Sequence, residues 1–169
     1  SLGTLFAGGV FTQVGGTQAP RVARWVNAWG TLINGTVNNT VYTLTTDAMG
    51  TVYLGGDLTE AGGTAARFMA LWNGTFGTFA GGTVDTRVYV LAFGANGILY
   101  AGGSFQTVNG GTTGPLVGWN RTSLTGLGGG LSRSSGGGPQ VNQLLIGNDG
   151  AILASGIFDR ANTRIINDN

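Results

Sequence analysis

The chain repeats itself every 47 residues, and a period of that length leaves few folds open. Gly8-Gly9, Gly55-Gly56 and Gly102-Gly103 fall in step, as do Trp25, Trp72 and Trp119. Laid without gaps on Thr51–Gly97, the segment Thr4–Gly50 matches at 20 of 47 positions. The third copy keeps the spacing through Trp119, and a fourth begins with Ala151–Phe158. Copies of this size stack on their neighbours to bury a continuous apolar core.

The copy Arg87–Gly130 shows what each unit contains. Val88–Phe93 is an apolar run of strand length, Gly94–Gly97 is a turn, and Ile98–Phe105 is a second strand carrying the double glycine. A polar loop, Gln106–Gly114, leads to Leu116–Asn120, and a short turn to Ser123–Leu127 before a glycine cluster. Four strands with hairpin-length connections predict one antiparallel sheet per copy. The first strands of other copies are Val41–Thr46 and Val141–Ile146. In the second copy both alternating positions carry apolar residues, which predicts burial on both faces. Sheets sandwiched between like sheets are the blades of a β-propeller, so the predicted fold is an all-β propeller of four-stranded antiparallel blades.

Within this frame the double glycine serves close backbone approach or a bulge. The fourth copy has Ser155-Gly156, so the second glycine is the stricter requirement. The repeated tryptophans are expected to pack between copies, one per copy. Trp29, whose equivalents are Phe76 and Ser123, is the aromatic better placed to stack on a ligand, although packing is favoured there too.

Composition fits the same picture. Charged residues make up 9% of the chain against 41% hydrophobic ones, while β-branched and aromatic residues recur in short runs, which argues for folded strands rather than disorder. Eight arginines, no lysine and seven acids give a formal net charge of +1, no footprint for nucleic acid. No apolar run approaches the roughly 20 residues that span a bilayer as a helix. Without cysteine or histidine, thiolate sites, disulfides and the commonest general base are excluded.

The run Ile98–Gly103, the loop after it, Leu116–Asn120 and the closing strand resemble kelch-type propeller repeats, and most closely the bacterial and phage variety written YAGGSF…W-N-G. The resemblance covers nearly the whole chain and implies a propeller. It says little about activity, because the fold hosts enzymes, adhesins and structural parts. A six-residue insertion within Leu131–Gln140 departs from the pattern and reads as an exposed loop. The chain is read as one repeat domain over residues 1–169, with units of about 1–37, 38–84, 85–140 and a partial 141–169. Three and a third copies do not close a ring of the four to eight blades propellers use. Further repeats outside this segment are the expectation. The alternative is a pair of chains giving about seven blades.

Chemistry is scarce. The acids are Asp47, Asp57, Glu60, Asp85, Asp149, Asp159 and Asp168; Asp47 and Asp149 read as turn residues. No cofactor, no metal site and no catalytic residue is expected. Sequons at Asn34, Asn38, Asn73 and Asn120 are explained at the latter pair by a hairpin turn. Variation concentrates in the loops after the double glycine, which in a propeller share one face. Asp57, Glu60, Arg67, Gln106, Asp159 and Arg160 are therefore the candidate ligand-binding residues. The expected function is a non-enzymatic extracellular, cell-surface or virion module for binding and adhesion, with protein partners, self-association or a surface glycan as the contact. Nucleic acid and membrane insertion are not expected. A structural spacer of a filament or tail, and an accessory propeller of a secreted carbohydrate-active enzyme, are the alternatives.

Overall fold

Alternating and apolar runs become short antiparallel strands at nearly every place the sequence marks. The structure, a computed structural model, describes residues 3–127, 131–134 and 136–161. It is all-β among these residues, with several small sheets, and divides into two compact units, Ser1–Phe79 and Ala80–Asn169.

In the first unit Val41–Thr46, Val52–Gly56, Met69–Trp72 and Phe76–Gly77 form a four-stranded sheet in simple up-and-down order. A three-stranded sheet of Leu5–Gly8, Val22–Trp25 and Trp29–Gly30 packs its first strand on Val41–Thr46. The core between them holds Val22, Leu32, Val37, Val41, Leu54, Leu58 and Trp72, with Phe6 and Leu44 against it. In the second unit Val88–Phe93, Leu99–Gly103, Leu116–Trp119 and Leu124–Gly126 repeat the up-and-down order. The pair Gln140–Ile146 and Ile152–Ile157 packs against its first two strands. Every residue of Val52–Gly56, Leu99–Gly103 and Leu116–Trp119 is buried, so these central strands are covered on both faces.

The double glycine divides its work between two neighbours. A Cβ on Gly56 would stand 2.0 Å from the Thr40 carbonyl oxygen; on Gly103 it would meet the Arg87 oxygen, and on Gly156 the Gln140 oxygen, at the same 2.0 Å. Each is backbone at the start of the adjoining strand or just before it, beside a bulge at Val41/Thr43, Val88/Val90 or Val141/Gln143. The first glycine instead faces a side chain of the next sheet, Val41 Cγ1 at 2.7 Å from Gly8 and Val141 Cγ1 at 2.5 Å from Gly102. A side chain can shift where a ladder carbonyl cannot, which is why Ser155 is allowed and Gly156 keeps its glycine.

The loops after the double glycine hold more than polar residues. Those of the second and third copies each contain a hairpin of two-residue strands, Glu60–Ala61 with Thr64–Ala65 and Thr107–Val108 with Gly111–Thr112, and a fully buried plug, Leu58 or Phe105. The bridges Val37 to Ala61 and Val84 to Val108 continue as Leu131 pairing with Ala161, so the inserted residues follow Ser132.

Candidate functional site

The loop hairpins of the second and third copies are fastened to the scaffold by one acceptor apiece. Asn38 Oδ1 accepts from the amides of Thr59 and Glu60, both at 3.1 Å. Asp85, 47 residues on, accepts at Oδ1 from Gln106 N at 3.0 Å and Thr107 N at 3.2 Å. Asn38 therefore works as a loop anchor, and its Nδ2 donates to Thr59 Oγ1 at 2.8 Å. The signal for this was available in sequence, since Asn38 and Asp85 are in step and both carry a short side chain suited to capping backbone amides.

The six candidate ligand residues fall three to each unit. In the first, Asp57 is half-buried and accepts from Tyr42 Oη at 2.8 Å. Glu60 is exposed at the start of its hairpin, and Arg67 is exposed at the far corner with φ 42°, followed by Phe68 at φ 73°. Left-handed backbone at two consecutive bulky residues is rare and costs on the order of 1 kcal/mol each. That corner turns the chain into the Met69–Trp72 strand.

In the second unit Gln106 is committed inward: its Nε2 donates to the carbonyls of Ser104 and Pro139, each at 3.0 Å. Asp159 is exposed and accepts from the amide and hydroxyl of Ser134. Those bonds, the hydroxyl's first, hold its carboxyl below the usual aspartate value of 3.8, with the Arg160 charge adding a smaller pull. Arg160 is exposed and pairs in register with Ser132. Three of the six, Glu60, Arg67 and Arg160, thus present exposed side chains with no structural bond among those described, while Asp57, Gln106 and Asp159 brace the loops. Asp168 lies outside the described residues.

The other sequence candidates resolve into scaffold. Asp47 Oδ1 accepts from the amides of Met49 and Thr51, and Asp149 Oδ1 from Ala151 N, so both close turns. Trp29 packs edge-on to Trp25 at 5.4 Å and covers Gly15, where a Cβ would stand 2.7 Å from Trp29 Cδ1. Phe76 covers Gly62 in the same way, also at 2.7 Å. Where the covering residue becomes Ser123, the glycine position becomes Asn109 at φ 51°. Among the described residues no group of three acids stands close enough to hold a metal ion, and no helix is long and apolar enough to cross a membrane.

Sequence reasoning missed a pocket of about 250 Å³ in the second unit, lined by Asn96, Ile98, Tyr100, Gly118, Thr125 and Leu127 among others. Its floor is Gly118, which stands where earlier copies carry Arg24 and Leu71. The loss of a side chain at that step of the period was the available signal. Comparison with protein-family models, with curated proteins and with solved structures found no match to the chain.

Proposed function

We propose that the chain is a run of kelch-like β-propeller blades that works, without chemistry of its own, as a binding and adhesion module of an extracellular, cell-surface or virion appendage. Its partners are protein surfaces. Up-and-down sheet order, central strands covered on both faces and sheets packed face to face support the propeller reading. The observation that carries the functional reading is an uncovered apolar face. Leu145 and Leu153 are direct cross-strand partners in the last sheet, 66% and 57% exposed. The residues in step with Leu153 are Tyr100 and Tyr53, which are 6% and 1% exposed. An exposed cross-strand pair of leucines is a surface that protein can contact. The same face suits the structural reading, in which the module assembles into a filament or tail.

A glycan contact through the loops is the second reading, favoured by the exposed Glu60, Arg67 and Arg160. One experiment separates the two. The chain is immobilised and challenged with protein-coated surfaces and with a glycan array, beside a Leu145→Lys/Leu153→Lys variant and a Glu60→Ala/Arg67→Ala/Arg160→Ala variant. Protein binding lost only in the lysine variant is the expected result. Glycan binding lost only in the alanine variant would establish the loops instead, and no binding to either surface would sink both.

A further inference from the structure

The second copy brings together three side chains that no other copy combines. Tyr42 is the residue that the bulge at Val41/Thr43 leaves out of register, and a bulge re-aims the side chain it carries. Its ring is 45% exposed, and its hydroxyl donates to Asp57 Oδ2 at 2.8 Å. The loop that leaves the sheet at Asp57 returns at Arg67. Phe68 N donates to the Leu58 carbonyl at 2.7 Å, and Gly56 N to the Phe68 carbonyl at 3.1 Å. The returning chain is thus bonded to both neighbours of Asp57. A ring, a carboxylate and a guanidinium come from adjoining stretches of backbone, all within the first unit.

The scaffold does not require this combination. In step with Asp57 stand Val10, Ser104 and Ile157, and in step with Arg67 stand Pro20 and Gly114. Tyr42 recurs as Tyr89, but Tyr89 is half-buried and has Ser104 at the acid's step. Arg67 has φ 42° where Gly114 has φ 78°, so glycine meets the same left-handed corner without the penalty of a side chain. Pro20 avoids the corner, because proline holds φ near about −65°. Strain kept where a neighbouring copy shows how to shed it marks a position retained for its side chain. Among the described residues the exposed Arg67 guanidinium makes no bond to the fold, so the scaffold is not what it serves.

We propose that Tyr42, Asp57 and Arg67 form a subsite for a neutral saccharide. The inference rests on the glycan reading of the loops and names the residues and the class of sugar. A pyranose ring offers an apolar C–H face and a rim of hydroxyls that both donate and accept. The Tyr42 ring supplies an apolar platform, and the Asp57 carboxylate fixes that ring through its hydroxyl. Arg67 supplies a planar fork of donors for the hydroxyls at the rim. A platform held in place before binding reduces the ordering cost of the contact. Charge selects the class. Asp57 and Glu60 share the loop with Arg67 and outnumber it, so an acidic sugar is repelled where a neutral one is not.

Titration tests it. The chain is screened on an array of neutral, sialylated and uronate-bearing oligosaccharides. The best neutral oligosaccharide is then titrated by calorimetry into the wild type and into Arg67→Gly, Tyr42→Ala, Tyr42→Phe and Arg160→Ala, with folding followed by circular dichroism. Arg67→Gly installs the residue that the third copy uses at this step, so it is expected to unfold at an equal or higher urea concentration. Its affinity is expected to fall about ten-fold or more, and that of Tyr42→Ala likewise. Tyr42→Phe keeps the ring and loses the bond to Asp57, and its affinity is expected to lie between those of Tyr42→Ala and the wild type. Arg160→Ala, in the second unit, is expected to bind as the wild type does. Neutral-sugar binding kept in folded Arg67→Gly or folded Tyr42→Ala overturns the subsite and leaves the glycan reading standing. Binding to acidic oligosaccharides alone overturns the proposed class of sugar. No binding to any oligosaccharide overturns the inference together with the glycan reading, and the protein-contact reading is unaffected.

Discussion

At the residue scale, the pair of glycines shows how two adjacent and chemically identical positions acquire different tolerances. Neither Gly56 nor Gly8 has the positive φ that would call for glycine on conformational grounds. Space is the reason in both cases, and what fills that space sets the penalty. Alanine at Gly56 must displace the Thr40 carbonyl, 2.0 Å from the new methyl group, and with it the ladder that holds Val41–Thr46. Alanine at Gly8 must displace Val41 Cγ1 at 2.7 Å and Leu44 side-chain atoms at 3.1 Å. Overpacking of this sort costs typically 1–3 kcal/mol, and more where nothing can relax. Gly56→Ala is therefore expected to lose about 3 kcal/mol or more and Gly8→Ala about 1–2 kcal/mol. Urea denaturation of the two variants checks the order, and equal losses would mean that the neighbouring sheet is as unyielding as the ladder.

At the element scale, the second and third loop hairpins are tied down by a side-chain oxygen, and the last loop inverts the arrangement. Asn38 and Asp85 reach up from the connection to the hairpin amides, whereas Asp159 reaches from the hairpin to the Ser134 amide and hydroxyl. The inserted residues move the connection, so the acid comes from the other side. Because the Asp159 pKa is lowered in the folded chain, its bonds add stability that is fully present above the unfolded value near 3.8. That contribution fades as pH falls through the lowered folded value. Carboxyl titration by NMR is expected to show Asp159 below 3.8 in the wild type and partly restored in Ser134→Ala, which keeps the backbone bond. An unchanged titration in Ser134→Ala would remove the hydroxyl from the account. The strands were legible in sequence because their apolar runs and turn residues coincide, as at Val41–Thr46 and Val88–Phe93, where the boundaries agree to the residue. The anchors were harder to see. Asn38 reads as a sequon and Asp85 as one acid among seven until the fold shows that both face the same pair of amides. Pairings such as Trp29 over Gly15, Phe76 over Gly62 and Ser123 with Asn109 were hidden for a similar reason. They join positions in different strands and loops, and only the register brings them together.

At the scale of the whole molecule, low charge and an uncovered sheet act in the same direction. A chain with 9% charged residues and a formal net charge of +1 has little electrostatic repulsion to keep copies apart. Its last sheet adds the cross-strand pair Leu145 and Leu153, with Ile157 42% exposed on the partner strand of Gln140. Burying such leucines stabilises a contact by roughly 1.5–3 kcal/mol apiece when the cover is complete. Their replacement should leave the fold itself nearly untouched, since both side chains already stand in water and surface changes fall within about 0.5 kcal/mol. Leu145→Lys/Leu153→Lys is therefore expected to bind markedly less of the apolar dye 8-anilinonaphthalene-1-sulfonate than the wild type while unfolding at nearly the same urea concentration. A large fall in the unfolding midpoint would show that the two leucines belong to the core of the second unit. Unchanged dye binding at an unchanged midpoint would move the contact surface away from the last sheet. The expected pair of results, dye lost and stability kept, would place the contact surface on the last sheet, at the exposed pair Leu145 and Leu153.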